Sequence, residues 1–334
     1  MIQQRTIASR LVGPIGLGCM NLSHAYGHPP EKTYAIRLLH RACDIGVKHF
    51  DTAALYGFGS NEKLVGEALK DRRNDIFLAS KCGMTGVGGK RVIDGRPETL
   101  TTTIDESLRN LRTDHIDLYY LHRWDKTVPI EASVGALSLM VSQGKIGAVG
   151  LSEVSAATLR KAHKVHPISA VQTEYSLWSR NPEIGVLKAC RELGVSLVAF
   201  SPVARGYLCG SVGSADTLAE KDIRRGMPRF QEPNFSANQA LFEDFGKLAE
   251  EARCTPAQLA LCWLLQQGDN IIPIPGTRSI AHLEENMQAA ELDIDPALLG
   301  AAGALINQSS VSGNRYPSAT QTEIDTEEFS KAER

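Results

Sequence analysis

The sequence predicts an α/β protein that forms a single (β/α)8 barrel (TIM barrel), with extra helices and loops toward its C-terminal end. Eight short apolar runs alternate with segments of helical periodicity along the 334 residues. Most of these runs are continuously apolar, which is typical of a parallel sheet covered on both faces. An open doubly wound sheet is the alternative architecture for this pattern.

The eight predicted strands are residues 15–20, 47–52, 76–81, 116–122, 146–151, 170–174, 196–201 and 271–275. The length of the chain alone would suggest two domains. Barrels of this kind often reach this length as one domain, so we expect residues 1–334 to form one domain.

Helical patterns lie between these strands. Residues 97–111 begin at Pro97, a favoured first helical position, and carry leucine and isoleucine on one face. The other predicted helices are residues 131–143, 182–193 with Pro182 at the start, 239–253 and 256–267. Because two helices precede the last strand, we expect one insertion there.

Two segments depart from the alternation of strands and helices. Residues 209–235 are rich in Gly, Arg, Pro and Ser, and residues 307–334 end in a charged tail. One interpretation is that they form a loop and a C-terminal tail that cover cofactor and substrate. The alternative is a mobile surface loop and a frayed terminus.

Composition narrows the functional class. A net charge of −2 gives no sign of a nucleic-acid or membrane-surface partner. Seven scattered cysteines without a CxxC pair fit a reduced intracellular protein. The first ten residues lack the apolar core of a signal peptide, and no apolar run approaches the roughly 20 residues of a membrane span. We therefore expect a cytoplasmic protein with a small-molecule substrate.

Three successive predicted strands end near ionisable residues. Asp51 ends the second strand, Tyr56 follows one loop later, Lys81 ends the third strand and His122 ends the fourth. The C-terminal ends of barrel strands lie side by side, so these side chains can converge. Each one alone has an ordinary structural explanation: a cap, packing, a surface charge or a core histidine.

Together the four groups are suited to moving a proton at a carbonyl oxygen. A free tyrosine has a pKa of about 10, and a nearby Lys81 ammonium is expected to lower the pKa of Tyr56. The Asp51 carboxylate would keep Lys81 charged. An imidazole at His122 could share the tyrosine proton or hydrogen-bond the substrate. We expect no metal site, because no metal-ligand spacing links the His and Cys residues.

Four motifs carry a family resemblance. They are GLGCM at 16–20, GVKHFDTAALYG at 46–57, IDLYYLHR at 116–123 and IPIPGTRSIAHLEEN at 272–286. In this order and spacing the chain resembles the aldo-keto reductases, a family of NAD(P)(H)-dependent (β/α)8 barrels. It is most similar to the long-chain microbial and plant subgroup that includes perakine-reductase-like and pyridoxal-reductase-like members.

The resemblance implies a reversible, NADPH-dependent reduction of an aldehyde or ketone to an alcohol. Tyr56 matches the family's general acid, and Lys81 matches the residue that lowers its pKa. Asp51 matches the partner of that lysine, and His122 matches the residue that orients the carbonyl. The chain is thus expected to be an oxidoreductase, with carbonyl reductase activity in one direction and alcohol dehydrogenase activity in the other.

The resemblance also implies cofactor contacts. Ser152, Glu153 and Gln172 match the positions that hold the nicotinamide carboxamide, and Phe200 matches the aromatic residue that stacks on the nicotinamide ring. Glu153 stands where most relatives have Asn, so it can accept but not donate a hydrogen bond. The implied cofactor residues are Gly18, Cys19, Met20, Asp51, Ser152, Glu153, Gln172, Phe200, Ser201, Pro202, Ala204, Arg205, Gly206, Gly276, Thr277, Arg278, His282, Glu285 and Asn286.

Arg278 offers a guanidinium for the cofactor's 2′-phosphate, near backbone N–H groups at a helix start. Many relatives have a second basic residue where this chain has Ser279, so NADH stays a less favoured alternative to NADPH. Expected substrate residues are Met20, Tyr26, Tyr56, His122, Trp124 and Trp178, of which Met20, Tyr26, Trp124 and Trp178 could instead be rim packing. Arg123 could be a cofactor contact or a surface residue.

Two other functions stay open. Some relatives are cofactor-sensing regulatory subunits without significant turnover, although the intact set of four groups favours an enzyme. A different enzyme class on the same barrel, such as an isomerase or aldolase, is the third hypothesis. The sequence predicts neither the natural substrate nor the oligomeric state.

Overall fold

A computed structural model of the chain describes residues 4–88, 90–210, 212 and 215–330. Positions 211, 213 and 214 of the segment 209–235, and positions 331–334 of the C-terminal tail, lie outside the described residues.

Parallel strands form a closed barrel. Within the described residues the strands are β1 (Thr6–Ile7), β2 (Arg10–Leu11), β3 (Leu17–Gly18), β4 (His49–Asp51), β5 (Phe77–Cys82), β6 (Met84–Val87), β7 (Lys90–Ile93), β8 (Leu118–Leu121), β9 (Val149–Ser152), β10 (Ile168–Glu174), β11 (Ser196–Phe200) and β12 (Ile271–Pro273). Eight of them pair in the order β3-β4-β5-β8-β9-β10-β11-β12. The Gly16 and Gly18 amides donate to the carbonyls of Pro273 and Pro275, at 3.0 and 3.2 Å, which joins the last strand to the first.

Helices connect and surround the strands. They are α1 (Lys32–Asp44), α2 (Ser60–Leu69), α3 (Pro97–Leu111), α4 (Ile130–Ser142), α5 (Ala156–His163), α6 (Val186–Leu193), α7 (Asn234–Glu251), α8 (Pro256–Gln266), α9 (Ile280–Gln288), α10 (Pro296–Leu305) and α11 (Ser318–Gln321). Consecutive helices pack together from α1 to α6, and α1 also packs on α9. In the part of the chain that is described, no helix has the length and apolarity that a bilayer crossing needs.

Each strand divides its side chains between two cores. In β8, Leu118 and Tyr120 point into the barrel with Phe77 and Val198, while Tyr119 and Leu121 pack beneath the helices. This alternation follows from the period of two of an extended strand. Because both faces are covered, most of the strand sequences are mainly apolar, and the predicted (β/α)8 fold is confirmed.

Two antiparallel hairpins were not predicted. β1 and β2 cover the N-terminal end of the barrel, where the Thr6 carbonyl accepts from Ser196 Oγ at 2.7 Å and Arg10 pairs with Asp117. β6 and β7 extend from the C-terminal end of β5, beside the cavity described below. The hairpin strands mix polar and apolar residues and belong to no longer apolar run, so no pattern in the sequence indicates them.

Helix boundaries differ from prediction in two places. Pro182 lies in a short 3-10 turn, Asn181–Glu183, and α6 begins only at Val186. Between them Gly185 has φ −156° and ψ −50°, which interrupts the helical path. Helix α7 begins at Asn234, earlier than the predicted residue 239. The insertion before the last strand is thus longer than expected.

Candidate active site

Strand ends bring the four ionisable residues together. Asp51 is the last residue of β4, Lys81 lies near the end of β5 and His122 directly follows β8. The parallel register sets Asp51 beside Ala79, and Lys81 beside Tyr120. Tyr56 begins a 3-10 turn after β4, which returns its hydroxyl over Lys81.

Lys81 is the centre of the cluster and has no exposed surface. Its Nζ atom donates to the Asp51 carboxylate, to the Thr52 carbonyl at 2.8 Å and to the Tyr56 hydroxyl at 3.2 Å. An ammonium has three protons, so these contacts satisfy all of them. Gln172 Nε2 donates to the second Asp51 oxygen at 2.7 Å, which fixes the carboxylate.

His122 lies beside Tyr56 with the two rings nearly perpendicular and their centroids 5.7 Å apart. Its Nδ1 atom is buried and has no hydrogen-bond partner among the described residues. Burial, together with the nearby charges of Arg123 and Lys81, lowers the pKa of His122 well below its usual value. The imidazole is therefore neutral at physiological pH.

Burial and charge act in opposite directions on Tyr56 and Lys81. Burial raises the pKa of Tyr56 more than the Lys81 ammonium lowers it, so the net shift is upward, contrary to the sequence-based expectation. For Lys81, burial lowers the pKa, but Asp51 and Tyr56 outweigh burial and raise it. At neutral pH the site therefore holds a protonated phenol beside a permanent ammonium, the arrangement that a proton donor needs.

A cavity of about 1130 Å³ opens over this cluster at the C-terminal ends of the strands. It exceeds the roughly 300–1,000 Å³ of sites for drug-sized ligands, so a dinucleotide and a small substrate can share it. The implied cofactor residues on its wall are Gly18, Cys19, Met20, Asp51, Ser152, Gln172, Phe200, Ser201, Pro202, Arg205, Gly206, Gly276, Thr277, Arg278, His282, Glu285 and Asn286. Met20, Tyr26, Tyr56 and His122 of the expected substrate residues also line it.

Glu153 and Ala204 are placed differently from the expectation, because neither lines the cavity. Both Glu153 carboxylate oxygens accept from Arg315, at 3.0 and 3.1 Å, and one also accepts from Thr173 and from the Glu174 amide. This carboxylate has no exposed surface and no oxygen left for a nicotinamide carboxamide. Ala204 is buried in the core.

Trp124 and Trp178 also lie away from the cavity wall. The Trp124 indole donates to the Val128 carbonyl at 2.9 Å in its own loop. Trp178 packs in an aromatic cluster with Tyr207 and Phe230, at centroid distances of 4.2 and 6.0 Å. Each tryptophan follows a strand end, but its side chain makes these contacts in neighbouring loops rather than at the cavity wall.

A buried ion cluster beside the cavity was missed by sequence reasoning. Arg315 pairs with Glu153, and Arg205 pairs with Glu174 at 2.7 Å; the side chains of all four are at most 8% exposed. Arg205 also donates to the Tyr316 hydroxyl at 3.0 Å. Arg205 is one of the implied cofactor residues and lines the cavity, and its guanidinium is largely engaged by Tyr26, Glu174 and Tyr316. No sequence signal links these residues, since up to 162 positions separate partners.

The far end of the cavity lies at the start of α9. Several N–H groups there already have partners: Ser279 donates to Thr277 Oγ1, Ile280 to Tyr34 OH and His282 to Ser279 Oγ. The helix start therefore offers fewer free amides than the sequence suggested. Arg278 is exposed on the cavity wall and donates one N–H to the His28 carbonyl at 2.6 Å.

These features fit a phosphorylated nicotinamide dinucleotide. The cavity runs from the cluster around Lys81 to the Arg278 guanidinium, which has no carboxylate partner among the described residues, so one end has groups that can exchange a proton and the other suits a phosphate. Phe200 lines the cavity between them and offers an aromatic face. Ser152 and Gln172 also line the cavity; Ser152 Oγ accepts from Arg123, and Gln172 Nε2 donates to Asp51. Within the described residues, no group of three or more His, Cys, Asp and Glu side chains is arranged to hold a metal ion.

Lining residues that the sequence did not single out include Asn21, His24, Arg91 and Tyr316. They come from the loop after β3, the β6–β7 hairpin and the C-terminal segment. Their side chains reach the cavity because these segments fold across its mouth, which no local pattern encodes. Arg123, whose place was open, lines the cavity.

The chain is similar to known proteins over nearly its whole length. The model of the aldo/keto reductase family matches residues 14–301. The chain is 42% identical over 330 residues to aldo-keto reductase yakc (NADP(+)) of Schizosaccharomyces pombe, covering 97% of both chains. It is 40% identical over 307 residues to probable aldo-keto reductase 1 of Glycine max, covering 91% of this chain and 88% of that one.

Solved structures are also similar to this chain over most of its length. A glycerol dehydrogenase from Gluconobacter oxydans superposes with a TM-score of 0.83 at 28% identity, over 90% of this chain and 94% of its own. The holo form of an aldo-keto reductase from Bacillus halodurans gives 0.75 at 29% identity, over 93% and 98%.

Proposed function

Because the chain belongs to the aldo/keto reductase family, we propose that it reduces an aldehyde or ketone to an alcohol, with Tyr56 as the general acid. NADP(H) is its cofactor, as in the relative from Schizosaccharomyces pombe. The observation that carries the proposal is the hydrogen bond of 3.2 Å between a fully buried Lys81 ammonium and the Tyr56 hydroxyl at the cavity wall.

Bound NADPH supplies the hydride that adds to the carbonyl carbon. Tyr56 gives its phenolic proton to the carbonyl oxygen as negative charge develops there. The neighbouring Lys81 ammonium stabilises the phenolate left behind, and Asp51 holds Lys81 in place. Neutral His122 orients the carbonyl by a hydrogen bond. In the reverse direction the phenolate would take the alcohol proton.

Ser152 and Gln172 are proposed to bind the nicotinamide carboxamide, Phe200 to stack on its ring and Arg278 to bind the 2′-phosphate. Glu153 is left out of this set because Arg315 occupies both of its oxygens. Buried Lys81 acts through Tyr56 and need not touch either ligand.

The two irregular segments are proposed to cover cofactor and substrate, and the whole chain to act as one domain. Arg224 and Met227 come from the first segment, and Tyr316 and Thr320 from the second; all four line the cavity. Seven unpaired cysteines suit a reducing compartment, so we place the activity in the cytoplasm.

The test is a fluorescence titration of the purified protein with NADPH and NADH, followed by absorbance decay of NADPH with a panel of aldehydes and ketones. We expect NADPH to bind more tightly than NADH and several panel members to turn over. Tight binding without turnover would favour the regulatory-subunit alternative. Absence of binding to either cofactor would overturn the proposal.

A further inference from the structure

Among the residues that the structure describes, five arginines line the cavity, and three of them are paired with carboxylates. Arg91 pairs with Glu323, Arg205 with Glu174 and Arg224 with Asp222. Among the described residues, the other two, Arg123 and Arg278, have no carboxylate partner. Arg278 is already proposed for the cofactor's 2′-phosphate. That leaves Arg123 as a cavity charge without an assigned counter-ion.

Arg123 lies on the opposite side of the barrel mouth from the phosphate end. It follows β8, and in the barrel order β8 is separated from β12, which leads to Arg278, by three strands on either side. A phosphate at the start of α9 is therefore out of its reach. Its neighbours are His122 and Ser152, so it faces the end of the cavity where the carbonyl substrate would lie.

Two hydrogen bonds hold the Arg123 guanidinium in place and leave its other N–H donors without a partner among the described residues. Its Nη1 atom donates to the His122 carbonyl at 2.7 Å and to Ser152 Oγ at 3.2 Å. Arginine has five N–H donors, so three remain, on Nη2 and Nε, and they have no partner among the described residues. Nε–H and one Nη2–H lie parallel along one edge of the guanidinium, and two parallel donors match the two oxygens of a carboxylate.

No carboxylate in the described part of the cavity wall pairs with Arg123. Within the described residues, the lining carboxylates are Asp51, which is engaged by Lys81 and Gln172, and Glu285, which accepts from Thr255 beside α9. His24 and His122 line the same end, and burial lowers the pKa of both, so they do not compete with Arg123 for an anion. A partly buried, unpaired cation gains free energy when an anion binds to it.

We propose that the carbonyl substrate carries a carboxylate, which Arg123 binds through Nη2 and Nε while the carbonyl oxygen lies at Tyr56. This inference rests on the proposed reductase function and adds the chemical class of the substrate. Arg123 would be a specificity residue of the enzyme. A neutral nicotinamide carboxamide does not require an unpaired charge, so the cofactor alone leaves Arg123 unexplained.

The test compares a matched pair of aldehydes, 4-carboxybenzaldehyde and its methyl ester, which differ in charge but little in shape. Wild-type protein should show a kcat/KM at least about 10-fold higher for the acid. In Arg123→Gln the acid-to-ester ratio should fall by about 10- to 100-fold, mainly through KM for the acid. Arg123→Lys, which keeps the charge but not the planar edge, should recover part of the ratio.

Arg72→Gln is the matched control, because it removes an exposed arginine that pairs with Asp44 at the barrel surface; its ratio should equal that of wild type. Thermal melts and NADPH titrations of each variant are run in parallel. If Arg123→Gln does not fold, the wild-type ratio and Arg123→Lys still decide the question.

Equal use of acid and ester by the wild-type protein would overturn this inference and leave the reductase function intact. A loss of NADPH affinity in Arg123→Gln as large as the loss in the acid's kcat/KM would make Arg123 a cofactor contact, which also overturns it. If neither aldehyde turns over, carboxylate binding is measured instead, by calorimetric titration of benzoate into the NADP+-saturated protein. If benzoate binds the wild-type protein and not Arg123→Gln, the carboxylate site is supported. If benzoate does not bind the wild-type protein, the inference is overturned. The reductase function is tested separately, by the wider carbonyl panel.

Discussion

Replacing Arg315 by Met removes the guanidinium that pairs with Glu153 while keeping most of the side chain's length. Both side chains are buried, Arg315 at 3% and Glu153 at 0% exposure. The Glu153 carboxylate keeps its hydrogen bonds from Thr173 and from the Glu174 amide. However, the negative charge of Glu153 no longer has the Arg315 guanidinium as its ion-pair partner. Glu174 keeps its pair with Arg205, so the damage falls mainly on one carboxylate.

Removing one partner of a buried ion pair costs about 3–5 kcal/mol, because a desolvated charge is left without compensation. For 334 residues the entropy of unfolding is about 0.7 kcal/mol/K, so a loss of about 4 kcal/mol lowers Tm by about 6 °C. Arg315 is also 3.5 Å from Glu174, which places the expected loss toward the upper part of the range.

The assay is a thermal melt and a urea titration of wild type, Arg315→Met and the double variant Glu153→Gln/Arg315→Met. The double variant removes both charges, and we expect it to regain most of the lost stability. Limited proteolysis should cut the single variant within the C-terminal segment first, since Arg315 ties that segment to the barrel. Arg112→Met, a change at an exposed arginine, is the control.

A melting temperature of Arg315→Met within about 1 °C of wild type would refute this reasoning. It would mean that the pair contributes no net stability and that the C-terminal segment is held by other contacts. A double variant as unstable as the single one would instead assign the loss to packing around Arg315 rather than to the unpaired carboxylate.

Three further predictions concern other residues. Tyr56→Phe should lower kcat by about 10²–10⁴-fold and leave the Kd for NADPH near wild type, because the hydroxyl gives a proton but need not hold the cofactor; turnover near wild type would contradict its role as the acid. Arg278→Gln should weaken NADPH by about 10- to 100-fold and NADH far less, and equal weakening would remove it from the 2′-phosphate site. Burial lowers the pKa of His49 from 6.5 to about 4, so on acidification the unfolded chain takes up a proton before the folded one. Stability from His49 is therefore full above about pH 6.5 and is lost as the pH falls toward 4, by about 2 kcal/mol between pH 7 and pH 5. Urea titrations of His49→Leu at these two pH values should lack that loss, and an equal loss in the variant would contradict the assignment.

The main features of the fold could be predicted because apolar runs and helical periodicity are local patterns in the sequence. Each barrel strand overlaps one of the eight predicted runs, most of which are mainly apolar, and α3 occupies the predicted residues 97–111. Burial on both sheet faces forces that pattern, and it can be recognised without knowing any partner. The hairpins β1–β2 and β6–β7 depend on contacts with the barrel instead, and their few residues carry no periodicity.

Placement in the site was harder to predict than residue type. A strand end brings a residue to the barrel mouth but does not fix which way its side chain turns from there. Asp51 and Lys81 meet because their strands are neighbours in register. Trp124 and Trp178 follow strand ends equally well, yet their rings pack into loops whose positions depend on the whole chain.

The sequence by itself determined the barrel, the positions of the four ionisable residues at or shortly after its strand ends and the resemblance that points to NADP(H). All of these depend on the order of residues along the chain and on the periodicity of strands and helices. Only the tertiary structure decided which charges are free. Arg315 neutralises Glu153 from 162 residues away, whereas Arg123 has no carboxylate partner among the described residues. Ion pairing depends on distances of a few ångströms between segments remote in sequence, and only the folded chain sets those distances.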